Sequence, residues 1–251
     1  MKNKIFKSSL AGPLAASLLL AAAIPASAAI VLVNTGSQII ATPTNSTTFS
    51  YDAGAANKLI VTVGAEGGVA ASAVISYNGV ALTLAPDTSS GRAVGIWYLD
   101  NPFTGGDADL VVDFTASGAN GLGVGVASIS GAALGVDVTA AGAARNQESI
   151  SQTVTPTLAG SFGIVNYADN GGGAQTAPSA LTGIYGFSNI GSAFGYAGYE
   201  ENVAATAQTY TFPIDVNSPA MGVAVFSPIP EPSSVALIGL FGGLALLRRR
   251  K

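Results

Sequence analysis

The chain has 251 residues, 32 of them glycine, with no Cys, no His and a formal charge of −4. The missing Cys and His exclude a disulfide framework, a thiolate nucleophile, a Ser-His-Asp triad and an imidazole metal site. Seven of the ten Lys and Arg residues sit at the two ends, leaving Lys58, Arg92 and Arg145 against thirteen acids between residues 30 and 230, a formal charge of −10 that repels nucleic acid.

Residues 1–28 read as a secretory signal peptide. Lys2, Lys4 and Lys7 give the basic start, an apolar run follows from Leu14 to Ile24, Pro25 breaks the helix, and Ala26, Ser27 and Ala28 are the small residues a signal peptidase needs. Cleavage is expected after Ala28, with the Sec machinery as carrier. The apolar run is about eleven residues against the roughly twenty of a spanning helix, which argues against a permanent anchor.

Residues 29–227 are expected to form one all-β domain, a jelly-roll-like sandwich, because short apolar or alternating runs recur about every ten residues between Gly, Pro, Asn and Asp. Strands are expected near 58–63, 74–77, 80–84, 93–99, 110–114, 124–129, 161–167, 184–187, 193–199, 206–212 and 221–226. Asn78-Gly79 marks a tight hairpin, since both residues tolerate positive φ. A division into two subdomains near Gly142–Gln147, where the chain turns small and polar, is the competing reading.

Asp107, Asp109 and Asp113 in "GGDADLVVDF" invite a calcium site, but strand alternation explains them as the wet face opposite Leu110, Val112 and Phe114. "GLGVGV" (121–126) lacks the Lys and helix of a phosphate loop, so its alternating glycines imply close backbone packing. Gly171-Gly172-Gly173 reads as a loop. Trp97, Tyr98, Tyr185, Phe187, Phe194, Tyr196 and Tyr199 serve either as aromatic core or as a platform on which sugar rings stack. Trp97, Tyr185, Tyr196 and Tyr199 are the candidates for that contact. Glycoside hydrolysis is the one enzyme class chemically open, through Glu66, Glu148, Glu200 or Glu201, yet nothing in the sequence pairs them. No catalytic residue and no cofactor are expected.

The chain closes with "PIPEPSSVALIGLFGGLALLRRRK". Ser233–Leu247 is about fifteen apolar residues, roughly 22 Å as a helix against a hydrocarbon core of about 30 Å. Arg248, Arg249, Arg250 and Lys251 behind it hold the end on the cytoplasmic side and snorkel to extend its reach. The order of Pro230-Glu231-Pro232, a short Gly-containing apolar helix and an Arg-rich end resembles the PEP-CTERM sorting signal, with Ile229 where the four-residue form often has Val. The resemblance implies that an exosortase, a membrane-embedded cysteine transpeptidase of Gram-negative bacteria that also make exopolysaccharide, recognises Pro230, Glu231 and Pro232 and removes the tail. Two prolines suit such a grip, because they hold an extended, unpaired backbone just outside the bilayer. The stretches "VISYNGVALT", "RAVGIWYLDNP" and "VGVASISGA" are also similar to a β-sandwich module that recurs in secreted bacterial proteins, a likeness that brings no assigned activity.

These readings lead to an exported, non-enzymatic β-sandwich protein with a structural or adhesive role, held transiently in the inner membrane and then placed in the outer envelope or extracellular matrix. A carbohydrate-binding module meeting exopolysaccharide is the alternative.

Overall fold

The computed structural model describes residues 27–40, 44–89, 92–117, 121–144, 147–169, 176–190, 193–213 and 219–231. The expected signal helix and C-terminal membrane helix lie outside the described residues. Ala28–Ile229 form one compact unit, and the two ends of the chain form another. Among the described residues no helix is long and apolar enough to cross a membrane.

The body is all-β, built as four stacked sheets in place of the expected single sandwich. In its first half, β1 (Val31–Ile40), β3 (Lys58–Glu66), β6 (Thr83–Ser89), β7 (Arg92–Asp100) and β9 (Leu122–Ser130) form an antiparallel sheet in the order β1-β9-β3-β7-β6. Across one face of it lie β2 (Ser46–Asp52), β8 (Asp107–Asp113), β4 (Val74–Tyr77) and β5 (Val80–Ala81). The second half repeats the plan. β10 (Val138–Ala143), β16 (Ala220–Phe226), β12 (Ser161–Asp169), β14 (Ala193–Val203) and β13 (Thr182–Ile190) form the sheet β10-β16-β12-β14-β13, and β11 (Ser149–Val154) pairs with β15 (Gln208–Pro213) beside it.

Strand for strand, the two five-stranded sheets share one topology. Their faces meet with β6 over β10 and β16, β7 over β16 and β12, β3 over β12 and β14, β1 over β13, and β9 over β13 and β14. Exchanging the halves maps this set of contacts onto itself, so the body has an internal two-fold relationship. Sequence traces survive at matched register positions. Gly125-Val126-Ala127 and Ile129 correspond to Gly222-Val223-Ala224 and Phe226, and Tyr98-Leu99-Asp100-Asn101 corresponds to Tyr199-Glu200-Glu201-Asn202. Asn101 and Asn202 even share a left-handed backbone, with φ of 52 and 57. The halves part at the loop 131–137, ahead of β10, whereas 142–147 begins inside β10, where Gly142 and Ala143 pair with Met221 and Ala220.

Because each five-stranded sheet is covered on both faces, its central strands β3, β9, β12 and β16 are buried almost end to end and lack the apolar–polar alternation of a half-exposed strand. Leu59, Val61, Leu122, Val124 and Trp97 pack outward beneath β8 and its neighbours. Ile60, Ile96, Ala127, Ile129, Phe162, Ile164, Ala224 and Phe226 fill the seam between the halves. Tyr167, Tyr196, Val223 and Phe212 pack in the third layer, under β11 and β15.

The Asn78-Gly79 hairpin forms as expected, with φ of 48 and 74, and β8 alternates as expected, with Leu110, Val112 and Phe114 fully buried. Strands β1, β2, β10 and β11 escaped the sequence reading, since Thr, Ser, Asn and small residues dominate strands that show one or both faces to solvent.

The glycines of "GLGVGV" do permit close packing. A Cβ on Gly123 would come within 2.8 Å of Ile190 Cγ2, and one on Gly125 within 2.5 Å of Thr62 Oγ1 and 3.1 Å of Ile184 Cγ2. Gly125→Val should therefore lower the stability of the body by about 1–3 kcal/mol through overpacking. Gly186→Ala, whose Cβ meets nothing within 4 Å, should stay near wild type. Denaturant midpoints of the two variants check this, and equal midpoints would contradict the close seam.

Candidate functional site

The aromatic residues named from the sequence do not make a sugar platform. Trp97 is buried and meets Phe114 edge-on at 5.9 Å, Tyr196 packs beside Phe212 at 5.6 Å, and Tyr185 is buried with its hydroxyl donating to Asn166 Oδ1 at 3.2 Å. Tyr199 is half-buried and stacked on Phe162 at 5.4 Å. Three apolar seams need three sets of large rings, and these residues supply them. The side chain of Phe187 lies outside the described residues.

The acidic candidates are likewise spread apart. Asp107 faces Asp52 across the β2–β8 ladder, Asp109 faces Ser50, and Asp113 faces Ser46. Asp113 accepts the Thr115 N–H at 2.7 Å, and its hydrogen bonds from Thr115 hold its carboxyl below the ordinary value. Among the described residues no group of three or more potential ligands is placed to hold a metal ion. Of the four glutamates, Glu200 accepts the Tyr210 hydroxyl at 2.8 Å, and Glu201, its neighbour on β14, is exposed and points to the opposite side of the strand. Glu148 is exposed ahead of β11, and Glu66 ends β3 on the far side of the first sheet.

Two polar centres inside the body had no signal in the sequence. Asp169 is fully buried at the end of β12, where its Oδ2 accepts the Tyr167 hydroxyl at 2.7 Å. Lys58 is also fully buried, although it opens β3. Its ammonium pairs with Asp100 Oδ1, directly opposite on β7, donates to Gly135 O at 2.8 Å, and lies over the rings of Tyr98 and Phe226 at 5.1 and 5.2 Å. In the second half the matching position is Phe162, stacked on Tyr199, so an amine replaces a ring at this one place in the repeat. Burial lowers the Lys58 pKa, and the Asp100 partner opposes that shift.

The sorting segment starts where the body ends. Beyond β16 the chain stays extended and tied. Ala133 N–H donates to Ser227 O at 2.8 Å, Pro228 bridges to Ala132, Ile229 N–H donates to Gly131 O at 2.9 Å, and Ile229 O accepts from Ala28 N–H at 3.0 Å. Ala28, the last residue of the expected signal peptide, is thus hydrogen-bonded to Ile229, inside the C-terminal segment that opens at Pro228. In the other unit Pro230 bridges to Ser27, and Pro230 and Glu231 are exposed. Pro228 and Pro230 have no N–H to donate, so Ile229 supplies the donor of this stretch and spends it on Gly131. Pro232 and Arg248–Lys251 lie outside the described residues.

The PEP-CTERM protein-sorting motif matches residues 228–251. The chain therefore carries the sorting signal of exported, exosortase-processed proteins. No curated protein matches the chain.

The buried phenols set an alkaline limit on the body. Burial pushes Tyr51 from 10.0 up to about 12 and raises Tyr77, Tyr167, Tyr185, Tyr196 and Tyr210 as well. A raised folded-state pKa means that the unfolded chain sheds these protons first. The stability they carry is present below pH 10 and is lost as pH climbs toward the folded values. Tyrosinate absorbance of these residues should stay silent through pH 10 and appear together with loss of the β-sheet signal. Titration of all eight tyrosines with the fold intact would contradict the buried assignment.

Proposed function

We propose that this is a non-enzymatic structural or adhesive protein of the outer envelope or extracellular matrix, delivered by its signal peptide and trimmed by an exosortase at its C-terminal signal. The observation that carries the reading is the tie at Ile229. The last strand ends at Phe226, and hydrogen bonds tie the chain as far as Ile229, directly ahead of the exposed Pro230 and Glu231 that an exosortase would grip. The composition fits exposure outside the cell, where a Cys-free chain needs no thiol management.

An adhesive role draws support from the edge strand β1. It exposes Val31, Val33 and Ile39, and no charged residue occurs between Lys7 and Asp52. Edges without Lys or other charge are open to pairing with further strands. Carbohydrate binding through Trp97, Tyr185 or Tyr196 has no such support, since those rings are buried.

The test is intact-mass analysis of protein released from the cell surface. The expected species lacks both the first 28 residues and the Arg-rich end. Glu231→Ala in the full chain should retain the end and accumulate in the inner membrane. A surface-released wild-type species that still carries Arg250 and Lys251 would overturn exosortase trimming.

A further inference from the structure

We propose that Lys58 and Asp100 are joined by an intramolecular amide bond, a covalent tie between β3 and β7 formed by the folded protein itself. Four observations converge on the pair. The two residues sit directly opposite on neighbouring antiparallel strands, so the ladder holds nucleophile and carbon in a fixed register. The amine is fully buried, walled by the Tyr98 and Phe226 rings, and in contact with the Asp100 carboxylate. The backbone of Gly135 grips both partners, accepting from Lys58 Nζ at 2.8 Å and donating its N–H to Asp100 Oδ2 at 2.9 Å. The matching place in the second half holds Phe162, so packing in this fold does not require an amine.

The chemistry balances without a co-reactant. A proton passes from the Lys58 ammonium to Asp100 Oδ1, leaving a neutral amine beside a carboxylic acid. Burial of the amine favours its neutral form, and the lowered pKa of Lys58 has that direction. The Nζ lone pair then adds to Cγ, forming the C–N bond, while the Gly135 N–H stabilises the charge that develops on Oδ2. The Cγ–Oδ1 bond breaks, and Oδ1 departs with its own proton and one from the amine as a single water. The partial exposure of Asp100, 26%, gives that water a way out. One hydrogen remains on the amide nitrogen, and three hydrogens are accounted for on each side. The Gly135 carbonyl already accepts the N–H that the product retains. Amide formation is sluggish between free solutes, but well-oriented intramolecular partners reach effective concentrations of about 10⁵ M or more.

The test is peptide mapping of the purified full chain under denaturing conditions. A branched peptide pair should appear, joining the segment around Lys58 to the segment around Asp100. Its mass should fall one water below the sum of the two, and trypsin should not cut at Lys58. Asp100→Asn should give the same branched product by losing ammonia in place of water. Lys58→Arg should give two linear peptides and an intact mass one water heavier than the unsubstituted sequence difference predicts for the tied form. Wild-type peptides recovered as separate linear species, with Lys58 cut by trypsin, overturn the proposal. So does a lost water located anywhere else in the chain. The wild-type result alone decides, so a variant that fails to fold does not blunt the test.

Discussion

Everything in this body depends on two five-stranded sheets pressed face to face with both of their faces covered. A sheet buried on both sides gives up the apolar–polar alternation that usually marks a strand, and its side chains must fit two neighbours at once. The seam between the halves meets that demand with small residues. Gly64, Gly123, Gly125 and Gly195 let Tyr185 and Ile190 reach in from β13. Polar groups that reach the seam find partners there: Thr62 donates to Gly125 O within its own half, and Asn166, at the matching place in the second half, donates across the seam to Gly95 O. The low charge and high glycine content of the chain follow from this geometry as much as from its destination.

The internal two-fold relationship makes the body a comparison with itself. Where the halves agree, packing is the cause. Tyr98 and Tyr199 both line the seam, and Asn101 and Asn202 both take positive φ. Where they differ, one half has acquired something the fold did not need. The insertion of β4 and β5 widens the first outer sheet to four strands, while the second keeps two. Lys58 is the sharper difference, because a cation in a seam must be compensated by a partner and by backbone oxygens, whereas Phe162 needs only neighbours. Glu201, the counterpart of Asp100, stays exposed with no amine facing it in the seam.

The tie among Ala28, Gly131 and Ile229 links the fold to the sorting of the chain. Ile229 N–H donates to Gly131 O in the segment that joins the halves, and Ile229 O accepts from Ala28, the last residue of the expected signal peptide. Pro228 closes that point from the side where it has no N–H to offer, and the next residues are the exposed Pro230 and Glu231. The first two residues of the sorting motif, Pro228 and Ile229, are therefore themselves tied to the loop between the halves.

Much of this was legible from the residues. The terminal pattern of prolines, apolar run and arginines is local chemistry, so the sorting signal could be read without coordinates. The Asn78-Gly79 turn, the alternation of β8 and the packing role of "GLGVGV" were legible for the same reason, since each depends on a few neighbouring residues. The repeat also left a readable trace in "YLDN" and "YEEN" and in the two Gly-Val-Ala runs, but it is short and interrupted by β4 and β5. The solvent-facing strands β1, β2, β10 and β11 were hidden because their residues carry little hydrophobic pattern.

By itself, then, the sequence determined a Cys-free, His-free all-β chain addressed for export, because charge, composition and local motifs fix those properties residue by residue. Only the tertiary structure decided that the body is two sandwiches stacked into four layers, that Trp97, Tyr185 and Tyr196 are core, and that Lys58 meets Asp100. Those outcomes depend on which strands lie beside one another across tens of residues, and strands buried on both faces lack the apolar–polar alternation that would mark their register.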